Sequence, residues 1–385
     1  MSVNVNHAVR VLAIGRFTSI HTRRFAEELQ RQGAETAALY PFPSKEKPQV
    51  RCYQPQEKLR ILGLPRTATL ACLLFLRRAL RSFQPDVVHI QDDPQIARWI
   101  SLVKSPQTLL AYTSWGHADQ KQLNDRAFQR GLSHAALLAS DASDVLGEIT
   151  PFAPTAKQAI IRFGADTEMF SPGPPAREVL QKYGIALGHR YIFSPRSIRR
   201  NYNQLSLIRA LPAVVRQFPN IKLILKHHHV ENYPDSQEYQ KAIQTEARSL
   251  GMLDRITRVD HIPYGELCQL YRASSVAVSI PSEDGFPATI FESMACGCPL
   301  IVSNDASYAG VIVDGVNSFC VPPDDVQTLS SRLVDVLGKK ELSERFRRNG
   351  LETVLDKGDF RKEITKLIAI YGDLMRASDR TSRPC

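Results

Sequence analysis

Short apolar, β-branched runs alternate with longer amphipathic stretches along most of the chain. A strand is expected over residues 11–15 (VLAIG), followed by an amphipathic helix over 21–32 that stops at Gly33, a glycine C-terminal signal. The next strand falls at 35–40. A Leu/Arg-rich helix over 69–83 ends before Pro85, and 86–91 (DVVHIQ) is apolar enough for a buried strand. Further strands are expected at 108–113 and 135–140. After the stiff segment Ser171-Pro172-Gly173-Pro174-Pro175 the alternation restarts, with strands at 190–194, 222–226, 258–262, 275–280 and 300–303 and helices between them. A last amphipathic helix spans 359–376. Repeated β–α units of this length predict an α/β protein with two doubly wound parallel sheets, each offering a ligand crevice at the carboxyl ends of its strands.

Composition adds scale. Single cores rarely grow beyond roughly 250–300 residues, so the 385 residues suit two domains. Hydrophobic residues at 43% and charged residues at 23% exclude a disordered class. The first residues carry no apolar run, and the longest such run, near 70–76, is short of the roughly 20 residues a membrane span needs. A cytoplasmic protein is expected. The net charge of +10 suits anionic partners, among them nucleotide phosphates, acidic glycans and an anionic membrane surface. No aromatic-rich basic motif accompanies it, which argues against nucleic acid. Seven scattered cysteines make no disulfide framework, and Cys296-Gly297-Cys298 lacks the second pair of a zinc site.

The most informative stretch is residues 281–321. A strand ends in the loop from Pro281 to Pro287, which opens a helix over 288–296 closed by Gly297. Such a loop presents free backbone N–H groups and a positive helix end, the usual setting for phosphate. Asp284 precedes the helix and Glu292 lies within it, on a face otherwise formed by Ile290, Phe291, Met294 and Ala295. An ionised carboxylate accepts several hydrogen bonds, so paired sugar or ribose hydroxyls are fitting guests. His89 reads as a hydrogen-bonded structural histidine, and His227-His228-His229 as neighbours that cannot all reach one ion. Arg77, Arg78 and Arg81 read as a solvated face, with membrane docking as the alternative.

The stretch resembles the acid-x7-Glu motif of retaining glycosyltransferases with the GT-B fold, family 4 (group 1). Phe286-Pro287, Glu292-Ser293-Met294-Ala295, Gly297, Pro299, Gly310 and Asp314-Gly315-Val316-Asn317 carry the likeness. So do Pro85-Asp86-Val87-Val88-His89 and Phe163-Gly164-Ala165-Asp166 with Phe170. The resemblance covers most of the chain. It implies an acceptor-side domain over 1–170, a nucleotide-sugar donor domain over 176–358, and a central cleft between them, with the C-terminal helix packing back on the first domain.

By position, it implies that Glu292 binds the donor ribose and Asp284 holds hydroxyls of the transferred sugar, with Glu283 a competitor for that role. The backbone at Gly285, Phe286, Pro287 and Ala288 would face the diphosphate, Pro287 having no N–H to give. Gly15 would let the first strand-to-helix loop approach diphosphate or acceptor closely. Arg196 would neutralise the leaving diphosphate.

The chain departs from the family pattern at three places. Asn201 stands at the usual lysine position, leaving Arg199 or Arg200 as substitutes. Trp115 stands at the usual histidine of a His-Gly pair, with His117 displaced by two, and His117 or Asp119 is expected near the reacting centre. Lys226-His227 replaces terminal glycines of a strand, and Lys226 would supply the missing charge. His21 and Arg23 are further candidates for acceptor or phosphate contact.

The expected activity is hexosyl transfer from a nucleotide-diphosphate sugar to a glycan or lipid-linked acceptor, in surface polysaccharide or glycoconjugate assembly, with no metal or other cofactor. A nucleotide-sugar epimerase of the same fold, and a binding protein without turnover, are the alternatives.

Overall fold

A computed structural model of the chain describes residues 8–15, 20–40, 50–53, 66–118, 120–226 and 235–381. The fold has two units, residues 1–163 with 361–385, and residues 164–360.

In the first unit the elements run β1 (Arg10–Ile14), α1 (Ile20–Arg31), β2 (Glu35–Leu39), β3 (Arg51–Tyr53), α2 (Arg66–Phe83), β4 (Val87–Gln91), α3 (Pro94–Val103), β5 (Leu109–Ser114), α4 (Gln120–Leu123), α5 (Arg126–Leu132), β6 (Leu137–Ser140), α6 (Ser143–Ile149) and β7 (Lys157–Ile160). All neighbours in its seven-stranded sheet are parallel, in the order β3-β2-β1-β4-β5-β6-β7. A parallel sheet needs cover on both faces, which explains why the inner strands β1, β4, β5 and β6 are buried along nearly their whole length rather than at alternate positions. Leu12, Ile14, Val88, Ile90, Leu110, Tyr112 and Leu138 meet Cys72, Leu76, Leu80 and Phe83 of α2 and Ile96 and Ile100 of α3 in one core. His89, of opposite orientation in β4, lies 4.7 Å from the Phe25 ring of α1.

In the second unit follow α7 (Arg177–Lys182), β8 (Arg190–Ser194), α8 (Gln204–Gln217), β9 (Ile221–Lys226), α9 (Asp235–Ser249), β10 (Ile256–Val259), α10 (Tyr264–Ala273), β11 (Val276–Ser279), α11 (Ala288–Ala295), β12 (Leu300–Ser303), β13 (Phe319–Val321), α12 (Val326–Gly338) and α13 (Lys340–Lys357). The six-stranded sheet runs β10-β9-β8-β11-β12-β13, again parallel. In both sheets the strand order reverses once, between β1 and β4 and between β8 and β11. That reversal is where connecting loops diverge and leave a crevice.

The last helix, α14 (Phe360–Thr381), belongs almost wholly to the first unit. The Tyr371 hydroxyl hydrogen-bonds His89 Nδ1, Glu363 accepts from the Arg162 amide at 2.9 Å, and Lys366 donates to the Ile160 carbonyl at 2.6 Å. Just before it, the Ala165 amide donates to the Gly358 carbonyl at 2.8 Å and the Phe360 amide to the Ala165 carbonyl at 3.0 Å. A side chain on Gly164 would stand 1.9 Å from that Gly358 carbonyl oxygen, so the two backbones touch because Gly164 carries no Cβ. The Pro/Gly segment at 171–175 lies inside the second unit.

Several sequence expectations shift. The strand placed at 258–262 lies instead at Ile256–Val259, because its register against β9 pairs Ile256 with Leu223 and Val259 with Lys226. The pattern marks neither the short strands β3, β7 and β13 nor, individually, the helices α3 to α7, α12 and α13. No helix among the described residues is long and apolar enough to cross a membrane.

Candidate functional site

The chain brings charged side chains together at the reversal point of the second sheet. Arg196 follows β8 and Asp284 follows β11, the two strands that flank the reversal. Their side chains form an ion pair with side-chain exposures of 14% and 22%. The guanidinium lies over the Tyr202 ring at 4.1 Å, a cation–π seat that fixes its plane. Asp284 Oδ1 also accepts from the Gly285 amide at 3.1 Å. Burial alone would weaken the hold of Arg196 on its proton, but Asp284, Tyr202 and Tyr308 more than offset it, so the guanidinium stays charged. Burial pushes the Asp284 carboxyl above its ordinary value, opposed by Arg196 and the Gly285 amide.

Lys226 ends β9 and Glu292 sits in the middle of α11. Burial pushes the Lys226 ammonium below its ordinary value; Glu292 holds against that, and Arg196 adds to it. These three side chains therefore share one electrostatic neighbourhood. Glu292 is 3% exposed and accepts from the Tyr271 hydroxyl at 3.4 Å. An ionised carboxylate at that depth is costly without donors and a nearby cation; the Tyr271 hydroxyl donates to it and the Lys226 charge acts on it through space.

The loops themselves are tied. The Ser282 amide donates to the Asn201 carbonyl at 2.8 Å, and the Asn203 side chain donates to the Ile280 carbonyl at 3.0 Å. Asn203 takes the left-handed conformation (φ 52°) that asparagine tolerates best after glycine. Asn201, at the expected lysine position, thus stitches the loop after β8 to the loop after β11. Pro287 precedes α11, whose first N–H groups lack intrahelical partners. Two buried hydroxyls here, Ser279 Oγ at the end of β11 and Thr289 Oγ1 in the first turn of α11, have no hydrogen-bond partner. Cations, helix-end amides and orphan hydroxyls together suit an anionic, hydroxyl-rich ligand.

The other candidates are placed as follows. Phe286 is 4% exposed and stacks on Phe291 at 4.8 Å, so its ring belongs to the core and only its backbone can serve a ligand. Ala288 opens α11. The Glu283 side chain is exposed, while its carbonyl accepts from Asn201 at 3.5 Å. Arg200 does not join the cluster: it turns outward to Glu238 at 3.8 Å and over Tyr239. Arg199 instead donates to the Tyr202 hydroxyl at 3.3 Å.

In the first unit, Gly15 directly follows β1, and a Cβ there would stand only 2.3 Å from Thr22 Oγ1, so contact with α1 already demands a glycine. His117 is held by Glu148 at 2.7 Å, with Asp144 at 3.7 Å. Trp115, at the expected histidine position, packs with His21 and Phe163. Asp119 and His227 to His229 lie outside the described residues. Cys298 is a packed thiol, pushed up to about 12 by burial. Among the described residues no cluster of His, Cys, Asp or Glu is arranged to hold a metal ion. Sequence reasoning missed Tyr202 and Tyr271. Tyr202 had a usable signal, an aromatic among cations; Tyr271 had none, lying on α10 far upstream of Glu292.

Residues 176–353 match the family described as glycosyl transferases group 1, and residues 18–168 match the glycosyl transferase 4-like domain. Among curated proteins, the chain is 25% identical over 225 residues to a GDP-mannose-dependent α-(1-6)-phosphatidylinositol monomannoside mannosyltransferase of Mycolicibacterium smegmatis, covering 56% of each chain. The chain spans little more than half the length of the curated relatives it matches first. Among solved structures, a glycosyltransferase from Rickettsia africae superposes with TM-score 0.78 at 14% identity over 96% of this chain and 99% of that one. HepE of Anabaena in complex with UDP superposes with TM-score 0.77 at 14% identity over 95% and 100%. With both family matches in chain order on two parallel doubly wound sheets, the chain belongs to the group 1 glycosyltransferases of the GT-B fold.

Proposed function

We propose that the protein is a retaining glycosyltransferase that moves a hexosyl group from a nucleoside-diphosphate sugar to a glycan or lipid-linked acceptor, in surface polysaccharide or glycoconjugate assembly. The observation that carries this reading is the cluster of Arg196, Asp284, Lys226 and Glu292 at the reversal point of the second sheet. Glu292 takes the ribose hydroxyls and Lys226 neutralises phosphate. Arg196, pre-oriented by Tyr202, stabilises the charge that gathers on the departing diphosphate as positive charge builds on the sugar ring. The N-terminal amides of α11 add partial positive charge at no reorganisation cost. Asp284 then exchanges part of its pairing with Arg196 for hydroxyls of the transferred sugar. With two cations and helix-end amides facing the phosphates, the reading requires no metal ion, and activity should survive a chelator. The first unit supplies acceptor recognition.

The deciding experiment is a thermal-shift screen of the full chain against UDP, GDP, ADP and dTDP and their common sugar conjugates, in the presence of chelator. A rise with one nucleotide family names the base, since a ligand that binds only the folded state stabilises it by mass action. A rise that depends on added divalent metal would refute the metal-free reading; the absence of any shift would refute the donor site.

A further inference from the structure

We propose that the outer face of α2 and α3 is a docking surface for an anionic lipid bilayer. In α2, Leu74, Arg77, Arg78 and Arg81 recur at the spacing of one helical face, and all four are exposed. The opposite face, Cys72, Leu76, Ala79, Leu80 and Phe83, is buried in the core. Ile96, Ala97 and Ile100 of α3 enter that same core, so the outer sides of the two neighbouring helices point away from the sheet together, bringing exposed Arg98 and Leu102 beside the α2 face.

Two features make this more than a solvated flank. Leu74 is 57% and Leu102 is 68% exposed, and they are the exposed large hydrophobic side chains of the first unit among the described residues. Neither α2 nor α3 contains an acidic residue, and among the described residues Arg77, Arg78 and Arg81 have no carboxylate partner. An exposed helix normally lowers its self-repulsion with i,i+4 acid–base pairs; this one keeps its cations unneutralised beside bare leucines. That combination matches the interface of an anionic membrane. The guanidinium groups meet lipid phosphates bidentately, their stems and the leucines enter the headgroup boundary, and no spanning segment is required. A nucleic acid would use the cations but has no place for the leucines.

The surface does not depend on the proposed transfer reaction and is tested without it. The full chain is floated with vesicles of phosphatidylcholine alone and of phosphatidylcholine mixed with phosphatidylglycerol, at low and high salt. Partition should require phosphatidylglycerol and fall with salt. Joint substitution Arg77→Gln, Arg78→Gln and Arg81→Gln should lower it about 100-fold, from about fivefold for each cation near the surface. Joint substitution Leu74→Ser and Leu102→Ser should lower it about tenfold, with the melting temperature kept in both variants. Failure to float, equal partition to neutral vesicles, or unchanged partition of either variant would overturn the proposal. So would arginine-dependent retention on immobilised heparin without flotation, which would reassign the face to a soluble polyanion.

Discussion

Lowering the pH should weaken the first unit through one buried imidazole. His89 is fully buried in the middle of β4. Its Nδ1 is engaged by the Tyr371 hydroxyl of α14 and its Nε2 by Thr113 Oγ1 at 2.6 Å, with the Phe25 ring against it. A neutral ring satisfies both partners, one nitrogen donating and the other accepting. Protonation would place a charge where burial opposes it, and this pushes the group from 6.5 down to about 3. Between those values the unfolded chain binds a proton that the folded unit refuses. Stability is therefore fully present above about pH 6.5 and falls as pH drops, by about 1.4 kcal/mol per pH unit. From about pH 7 to about pH 5 the loss is about 2 kcal/mol.

The assay is urea unfolding of the full chain and of His89→Gln across that range, with hydrogen exchange on β4 and α14 isolating the first unit. Glutamine keeps an amide donor and acceptor but does not titrate; other groups titrate alike in both proteins and cancel. His89→Gln should be the less stable protein at about pH 7, by about 1 kcal/mol for an imperfect hydrogen-bond replacement. The gap should close or invert by about pH 5. Parallel pH curves, or a His89 resonance titrating near its ordinary value, would refute the reasoning.

Other outcomes follow from the same structure. Glu292→Gln should weaken nucleoside-diphosphate binding by about 1.5–3 kcal/mol, the range for hydrogen bonds to a charged group; calorimetry giving unchanged affinity would remove the ribose role. Asp284→Ala should spare nucleoside-diphosphate affinity while impairing sugar transfer, and equal losses in binding and turnover would contradict the division of roles. Arg200→Ala, by contrast, should leave both within about twofold, since its side chain is exposed and an exposed pair is worth under about 1 kcal/mol. Gly358→Ala should cost about 1–3 kcal/mol, because the added Cβ would stand 2.1 Å from the Phe291 ring; a melting temperature equal to the parent would show that the ring yields.

Much of the fold is legible in the chain because parallel strands are buried on both faces and therefore write themselves as apolar runs. RYIFS and LIVS became β8 and β12 without adjustment. The edge strands RCY and FCV did not show, being too short to make a run and paired along one side only. The charged cluster was half legible. Glu292 announces itself as an acid on an apolar helix face and Asp284 as the acid of the loop that opens that helix, whereas Arg196 is reached only through the family resemblance. The aim of each arginine after β8 was not legible: Arg196 and Arg199 turn to Tyr202 while Arg200 turns to α9, a choice made by tertiary packing. His117 likewise reveals its partner only in the fold, because Glu148 arrives from α6, well downstream.

The paired backbones at Ala165 and Gly358 make the two units unequal under dissection. The second unit enters and leaves through adjacent, mutually bonded segments and is continuous in sequence, so a gene fragment for residues 164–360 encodes a closed structural module. The first unit is assembled from both ends of the chain. A fragment stopping at Phe163 would lack the helix that covers His89 and accepts from the Arg162 amide, and during synthesis that unit cannot be completed until α14 has left the ribosome.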